Sequence, residues 1–266
     1  MAEYIAPLKD MQFVLQEIAD LSSVAALPPF GDAQPDLVDS ILEEAGKFAS
    51  GVLSPLNWWG DQNGTQFNPD NYTVTPAAGF PQAYEQFVES GWNGLACNPD
   101  FGGQGMPDLV ATAVSEMWCS ANMAFSLCPM LTQGAINAIA QNATDALKEQ
   151  YLPKMISGEW TGTMNLTEPQ AGSDLAAVRS KAVPNGDHYL ISGQKIFITW
   201  GDHEMTENVV HLVLARLPDA PAGVKGISLF IVPKFIPTAD GGVGERNTVS
   251  CGSIEHKMGI RASATA

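Results

Sequence analysis

The stretch from Met164 to Asp174, reading MNLTEPQAGSD, concentrates residue types that could hold an anion or simply make a turn. It leaves a short β-rich run and enters a bend marked by Pro169 and Gly172. Successive main-chain N–H groups at Ala171, Gly172 and Ser173, with the Ser173 hydroxyl, would form an anion-binding concavity suited to a pyrophosphate. Gly172 has no Cβ and lets a ligand approach the backbone closely. A plain turn is the competing reading, because Pro, Gly, Ser and Asp gather in turns for local hydrogen-bonding reasons. A second run, Phe197-Ile198-Thr199-Trp200, alternates like a half-buried strand. If both runs line one crevice, Thr167 and Thr199 offer hydroxyls to the polar edge of a ring, and Phe197 or Trp200 offers a flat apolar wall. A flavin suits such a pocket, mostly apolar with a few oriented donors.

The remaining chemistry-bearing residues give no competing centre. Cys97, Cys119, Cys128 and Cys251 include no Cys-x-x-Cys pair, so free thiols are the default. His188, His203, His211 and His256 are scattered, and no metal site is readable from them. With 13 Lys and Arg against 29 Asp and Glu, the net charge of -16 repels a phosphate backbone and excludes general nucleic-acid binding. Local backbone amides can still hold an anion on such a chain. The opening Met1-Ala-Glu-Tyr-Ile-Ala-Pro lacks a basic segment followed by an apolar run, and no uncharged apolar stretch long enough to span a membrane is expected. The sequence therefore reads as a soluble, cytoplasmic protein.

The elements that must carry these runs change character near residue 158. The chain's 266 residues allow one large domain or two ordinary ones. Leu37, Val38, Ile41, Leu42, Ala45, Phe48, Ala49, Val52 and Leu53 recur at helical spacing, with Asp36 as cap and Ser54-Pro55 as stop. Similar helices are expected at about 8–21, 82–90, 108–127, 131–141 and 144–155, with Asp108 and Thr144 as caps. Residues 54–80 read as a polar loop whose Trp58 and Trp59 fold back onto the core. Strands are expected at 178–183, 188–192, 195–200, 209–217, 227–232 and 247–255. Asn185-Gly186 signals a type I′ hairpin, and Gly241 to Gly244 a break before the last strand. Helices segregated from strands indicate an α+β chain, with an all-α domain at 1–157 (leader helix within 1–34) and a β domain at 158–266.

Six segments in order carry a family resemblance: NPDFGGQGMP at 98–107, YLPKMISGEWTGTMNLTEP at 151–169, LTEPQAGSD at 166–174, GQKIFITWG at 193–201, KGISLFIVPK at 225–234 and IEHKMGIRASAT at 254–265. Together they resemble the acyl-CoA dehydrogenases over essentially the whole chain. The opening YIAPLKDMQFVLQEI is similar to the leader of a larger branch, the one that includes 3-methylmercaptopropionyl-CoA dehydrogenases. The resemblance implies a β-barrel-like or β-sandwich middle domain behind the helices, and FAD as the cofactor. It implies that Met164, Asn165, Leu166, Thr167, Glu168, Ala171, Gly172 and Ser173 follow the flavin and its pyrophosphate, and that Phe197, Ile198 and Thr199 flank the isoalloxazine. Ser173 would also lie beside the acyl-CoA, and Thr199 would hydrogen-bond the flavin N5 edge. Position 197 is often tryptophan in relatives; phenylalanine keeps the apolar wall and loses the indole donor.

The reaction so implied is α,β-dehydrogenation of an acyl-CoA thioester to the trans-2-enoyl-CoA. A base takes the α-proton, hydride leaves the β-carbon, and the carbonyl is polarised as enolate charge develops. In relatives the base is a glutamate of a third, helical, C-terminal domain, which these 266 residues are expected to lack. No catalytic residue is assigned, and Glu168 is expected to anchor its turn. The chain by itself is then expected to be an inactive fragment, while the complete protein would be a homo-oligomer passing electrons to an electron-transferring flavoprotein. An acyl-CoA oxidase and a non-catalytic flavin- or ligand-binding fragment are the alternatives.

Overall fold

A computed structural model describes residues 3–266, so the first two positions of the leader lie outside it. The leader is not one helix: α1 (Leu8–Phe13) runs into a wide turn at Val14–Ile18, α2 (Leu21–Ala25) follows, and a short 3-10 turn spans Pro28–Phe30. Helix α3 (Pro35–Phe48) buries Val38, Leu42, Ala45 and Phe48, the stripe its spacing foretold. Its cap position is Gln34 with Pro35 in the first turn, and Asp36 sits one position inside.

Pro55 does not stop this helix. The chain passes through a wide turn at Ala49–Leu53 into α4 (Ser54–Asn63), where Pro55 occupies the first turn and its missing N–H costs nothing. Residues 54–80 are thus α4, a small hairpin of β1 (Gln66–Asn68) and β2 (Thr73–Thr75), and the start of α5 (Phe80–Glu89), not a loop. Trp58 and Trp59 point outward, about half exposed, rather than onto the core.

The expected helices at 108–127 and 131–141 form one helix, α6 (Asp108–Asn142), bent where Asn122 leaves helical geometry. Residues 117–142 carry no charged side chain, contrary to expectation. By length and composition α6 could cross a membrane, but half of its most apolar window is buried in this fold. Pro107, not Asp108, takes the cap position. After α7 (Asp145–Ser157), Gly158 ends the helix in the left-handed conformation. A Cβ there would meet Val88 at 2.6 Å. Thr144 precedes α7 as foreseen but makes no capping side-chain bond.

Beyond Gly158 the sheet begins. The central strand β6 (Asn208–Arg216) is almost wholly buried. On one edge it pairs in parallel with β3 (Trp160–Asn165) and, at Arg216, with Lys181 of β4 (Lys181–Asn185). On the other edge it pairs antiparallel with β7 (Ile227–Pro233). Strand β5 (His188–Ser192) closes a hairpin with β4. Asn185 pairs with His188 there, so the turn residues are Gly186 and Asp187, and only Gly186 has positive φ; this departs from the expected type I′ turn. A second hairpin joins β8 (Phe235–Pro237) to β9 (Val243–Arg246).

Three strand expectations fail. Residues 195–200 and 247–255 are not strands, and β4 begins three residues later than expected. The last strand lies instead within the glycine-rich break, as β9. The five-stranded sheet is open and mixed, so the helical-then-β order stands, with the β1–β2 hairpin as an exception to an all-α first half, while the barrel does not close. Its β3–β6 face packs on α6 and α7: Trp160, Val210 and Leu212 join Ala135, Ile136, Leu152 and Met155 in one apolar cluster. Gly162 lies so close to Ala135 that a Cβ would stand 2.5 Å from it.

Candidate active site

Strand β3 delivers Met164 and Asn165 to the sheet edge, and alternation sends them opposite ways. Met164 is exposed, whereas Asn165 is buried and accepts a hydrogen bond from Thr163 Oγ1 at 2.7 Å. The chain then makes a tight turn in which Glu168 and Ala171 exchange main-chain hydrogen bonds at 2.8 and 2.9 Å. The Ala171 amide is therefore consumed, which corrects the expectation of three free donors. The amides of Gly172 and Ser173, and the hydroxyls of Thr167 and Ser173, make no hydrogen bond among the described residues. A Cβ on Gly172 would meet nothing nearer than Thr167 Cγ2 at 4.0 Å, so the space beside it is open.

Glu168 builds this turn from inside. It is 4% exposed, and its carboxylate accepts hydrogen bonds from Lys195 Nζ at 2.8 Å, Arg179 N at 2.7 Å, Ser180 N at 3.1 Å and Gln170 Nε2 at 2.6 Å. Burial pushes its pKa up, but these donors together outweigh it and hold the carboxyl at about 2. Its geometry is that of an anchor.

Lys195 also donates to Leu166 O at 3.0 Å, and Ile196 N donates to Thr167 O at 2.9 Å. These bonds bring the two sequence runs side by side. The sequence reading did not single out Lys195; a lone lysine at the head of the apolar run IFITW was the available signal. The 197–200 segment is a turn closed by Gly201 N donating to Ile198 O at 3.0 Å, with Phe197 and Trp200 both at positive φ. Ile198 is buried and exchanges main-chain bonds with Ala266 at 2.8 and 3.0 Å. Phe197 stands 58% exposed beside Thr199, whose amide and hydroxyl have no protein partner among the described residues. Trp200 is 1% exposed, so of the two aromatic walls considered only Phe197 faces outward.

Beneath the site lies a buried polar cluster that sequence alone did not reveal. His211 Nδ1 bonds Thr163 Oγ1 at 2.8 Å and His203 Nε2 bonds Thr161 Oγ1 at 3.0 Å. Thr163 spends its proton on Asn165, so His211 must carry hydrogen on Nδ1. His203 Nδ1 accepts from Met205 N at 3.2 Å, so its hydrogen is on Nε2. Burial, and for His203 also the Lys234 ammonium and His211, lowers the two pKa values to about 3 and about 4. Lys234 Nζ donates to Asp202 Oδ1 at 2.6 Å and to His203 O at 3.1 Å. Arg216 braces the 176–178 strip from the other side through Val178 O and Ala176 O, both at 2.8 Å.

The fold and the sequence have counterparts among known proteins. Residues 39–159 match the family description Acyl-CoA dehydrogenase, N-terminal domain, and residues 163–266 match Acyl-CoA dehydrogenase, middle domain. The 3-methylmercaptopropionyl-CoA dehydrogenase of Ruegeria pomeroyi is 48% identical over 264 residues, which is 99% of this chain and 45% of that protein. Butyryl-CoA dehydrogenase from Megasphaera elsdenii superposes with a TM-score of 0.67 at 24% identity, covering 86% of this chain and 54% of that one. Acyl-CoA dehydrogenase complexed with FAD from Bacillus anthracis gives 0.66 at 23% identity, covering 86% and 34%. At such identities the structures speak for the fold alone, and the chain spans less than half the length of the Ruegeria relative. Two consecutive matches in family order, together covering most of the sequence, settle the larger kinship: the chain belongs to the acyl-CoA dehydrogenase family.

Proposed function

We propose that this chain is the flavin-carrying portion of an acyl-CoA dehydrogenase, divided into a helical domain at 1–157 and a β domain at 158–266. The observation that carries the reading is the junction of the two runs: Thr167 and Ile196 share a main-chain bond, and Lys195 ties Leu166 and Glu168 together. That junction sets free donors and an exposed aromatic ring on neighbouring turns.

The residues present suit FAD. Gly172 keeps open a space that a side chain would fill, and the free Gly172 and Ser173 amides with the Ser173 hydroxyl are the donors a diphosphate needs. Met164, Leu166 and Thr167 would line one side of the tricyclic ring. Phe197 and Thr199 would line the other, with the Thr199 amide and hydroxyl available to its polar edge. Asn165, Glu168, Ala171 and Ile198 serve from behind, by fixing the backbone. When bound, FAD supplies a two-electron acceptor for the hydride leaving the acyl β-carbon. Ser173 would also touch the acyl-CoA. Glu168 stays ionised and fully engaged, so it is withheld from taking the α-proton.

In the same reading the substrate is an acyl-CoA thioester, electrons pass on to an electron-transferring flavoprotein, and the working protein is a homo-oligomer in the cytoplasm. Cys97, Cys128 and Cys251 are buried and unpaired and Cys119 partly so, which suits a reducing compartment. The test is cofactor uptake. The purified chain, mixed with FAD and passed through gel filtration, is expected to emerge with flavin absorbance that is released on denaturation. Flavin that elutes wholly apart from the protein would sink the proposal.

A further inference from the structure

Trp200 sits where a short turn should be occupied by a small residue. Its φ is 50°, a conformation costly for a bulky side chain. The chain turns back on itself immediately, through the Gly201 N to Ile198 O bond, so this strain falls inside the turn carrying Phe197 and Thr199. What holds it is the indole. The ring leaves the β domain and is buried in the apolar cluster of the helical domain, 6.2 Å from Phe80 between ring centres. It packs edge-on against His203 at 5.5 Å. Its Nε1–H donates to Ala124 O at 2.9 Å.

Ala124 lies two residues past the bend of α6. Asn122 makes that bend in full: its Oδ1 accepts from Phe125 N at 3.1 Å and its Nδ2 donates to Leu53 O at 3.1 Å. The carbonyl that receives the indole is therefore held beside a hydrogen-bonded polar hub of the helical domain. On the far side, Ile198 is pinned to Ala266 and Gly201 N donates to Ala264 O at 3.0 Å.

Resting on the flavin reading above, we propose that Trp200 is a positioning residue: by anchoring its indole at the α6 bend it sets the orientation of Phe197 and Thr199 against the flavin ring. Trp200 touches no cofactor itself. The cofactor wall is in this way a shared element of both domains, and its geometry follows the α6 bend.

The experiment compares the chain with Trp200→Phe and Trp200→Ala, each saturated with FAD. Trp200→Phe keeps the plug and loses the N–H, and is expected to retain the fold while binding FAD about tenfold more weakly, because Phe197 and Thr199 are no longer held in register with the ring. Its bound flavin is expected to show an altered visible circular-dichroism band, because the ring meets a displaced wall. Trp200→Ala is expected to change the band further or to fail to fold. A Trp200→Phe chain with normal FAD affinity and an unchanged flavin band would overturn the proposal, whatever its melting temperature. If the unsubstituted chain takes up no FAD, the function proposal fails first, and the two failures are told apart.

Discussion

Two buried regions meet at Trp200, and they are stabilised by different means. The helical core is apolar and aromatic: Phe87 lies 5.8 Å from Phe125 and 6.1 Å from Trp118, with Leu42, Phe80 and Met117 fully enclosed. The layer under the 164–173 turn is polar, with Thr161, Thr163, His203 and His211 all buried and the Asp202–Lys234 pair reaching in from the loops. The first region depends on volume and contact. The second depends on every donor finding its acceptor, and it lies where the backbone must be held to a fixed shape. Placing hydrogen-bonded polar groups under this turn sacrifices hydrophobic gain for directional restraint.

The difference shows most strongly in how damage adds up. Phe125→Ala is expected to cost about 3–5 kcal/mol by cavity formation, and adding Phe87→Ala to deepen the loss. Lys234→Met is expected to cost a similar ~3–5 kcal/mol because it strands the Asp202 charge. Here the second change should help: Asp202→Leu with Lys234→Met removes both charges and is expected to recover more than half of the loss. Urea unfolding of these four variants and of Asp202→Leu alone measures this. If the double change at 202 and 234 is as unstable as the sum of its singles, the polar layer does not behave as a coupled pair.

Acid separates the regions next. His203 and His211 have folded pKa values of about 3 and 4 against an ordinary 6.5, so below pH 6.5 the unfolded chain binds protons that the folded one refuses. Their contribution is complete above pH 6.5 and is lost as pH falls towards 4, at ~1.4 kcal/mol per pH unit for each group. Glu168, at about 2, adds a later loss in the same direction, beginning below 4.5. Acidification also relieves the self-repulsion of a chain with net charge -16. The useful quantity is therefore the difference between the chain and His203→Gln. Its stability gap to the variant should shrink steadily from pH 6.5 to 4, and a constant gap would mean that burial does not lower the His203 pKa.

Much of the apolar region is legible in the sequence, because a helical stripe such as Val38, Leu42 and Ala45 is a local pattern with a local cause. The run KIFITW, by contrast, alternates well enough to predict a strand, and it is a turn. Trp200 is drawn into the helical core and Ile198 to Ala266, contacts 76 and 68 residues away that no window contains. The same holds for Lys195 and Lys234, whose partners Glu168 and Asp202 lie far along the chain. Pro55 misled in another way, since a proline that ends one helix and a proline that opens the next look alike. Residues 164–173 and 197–199 were singled out because, with the other matching segments, they resemble a known family, while the residues that hold them in place are individually ordinary.

Two glycines give the mildest and most selective test, one in each kind of surroundings. At Gly162, where β3 crosses α6, a Cβ would lie 2.5 Å from Ala135 and 2.8 Å from Met155, so Gly162→Ala is expected to destabilise by about 1–3 kcal/mol through overpacking. At Gly172 the φ is ordinary and the protein leaves the Cβ position open. Gly172→Ala should therefore change stability by no more than ~0.5 kcal/mol. The added methyl would instead occupy the open space that the proposed function gives to the diphosphate. FAD affinity is expected to fall about tenfold, which corresponds to ~1.4 kcal/mol of binding. Affinity lost in proportion to stability would mean that Gly172 serves the turn alone. Affinity lost with stability intact means that the open space at this bend is kept for something outside the chain.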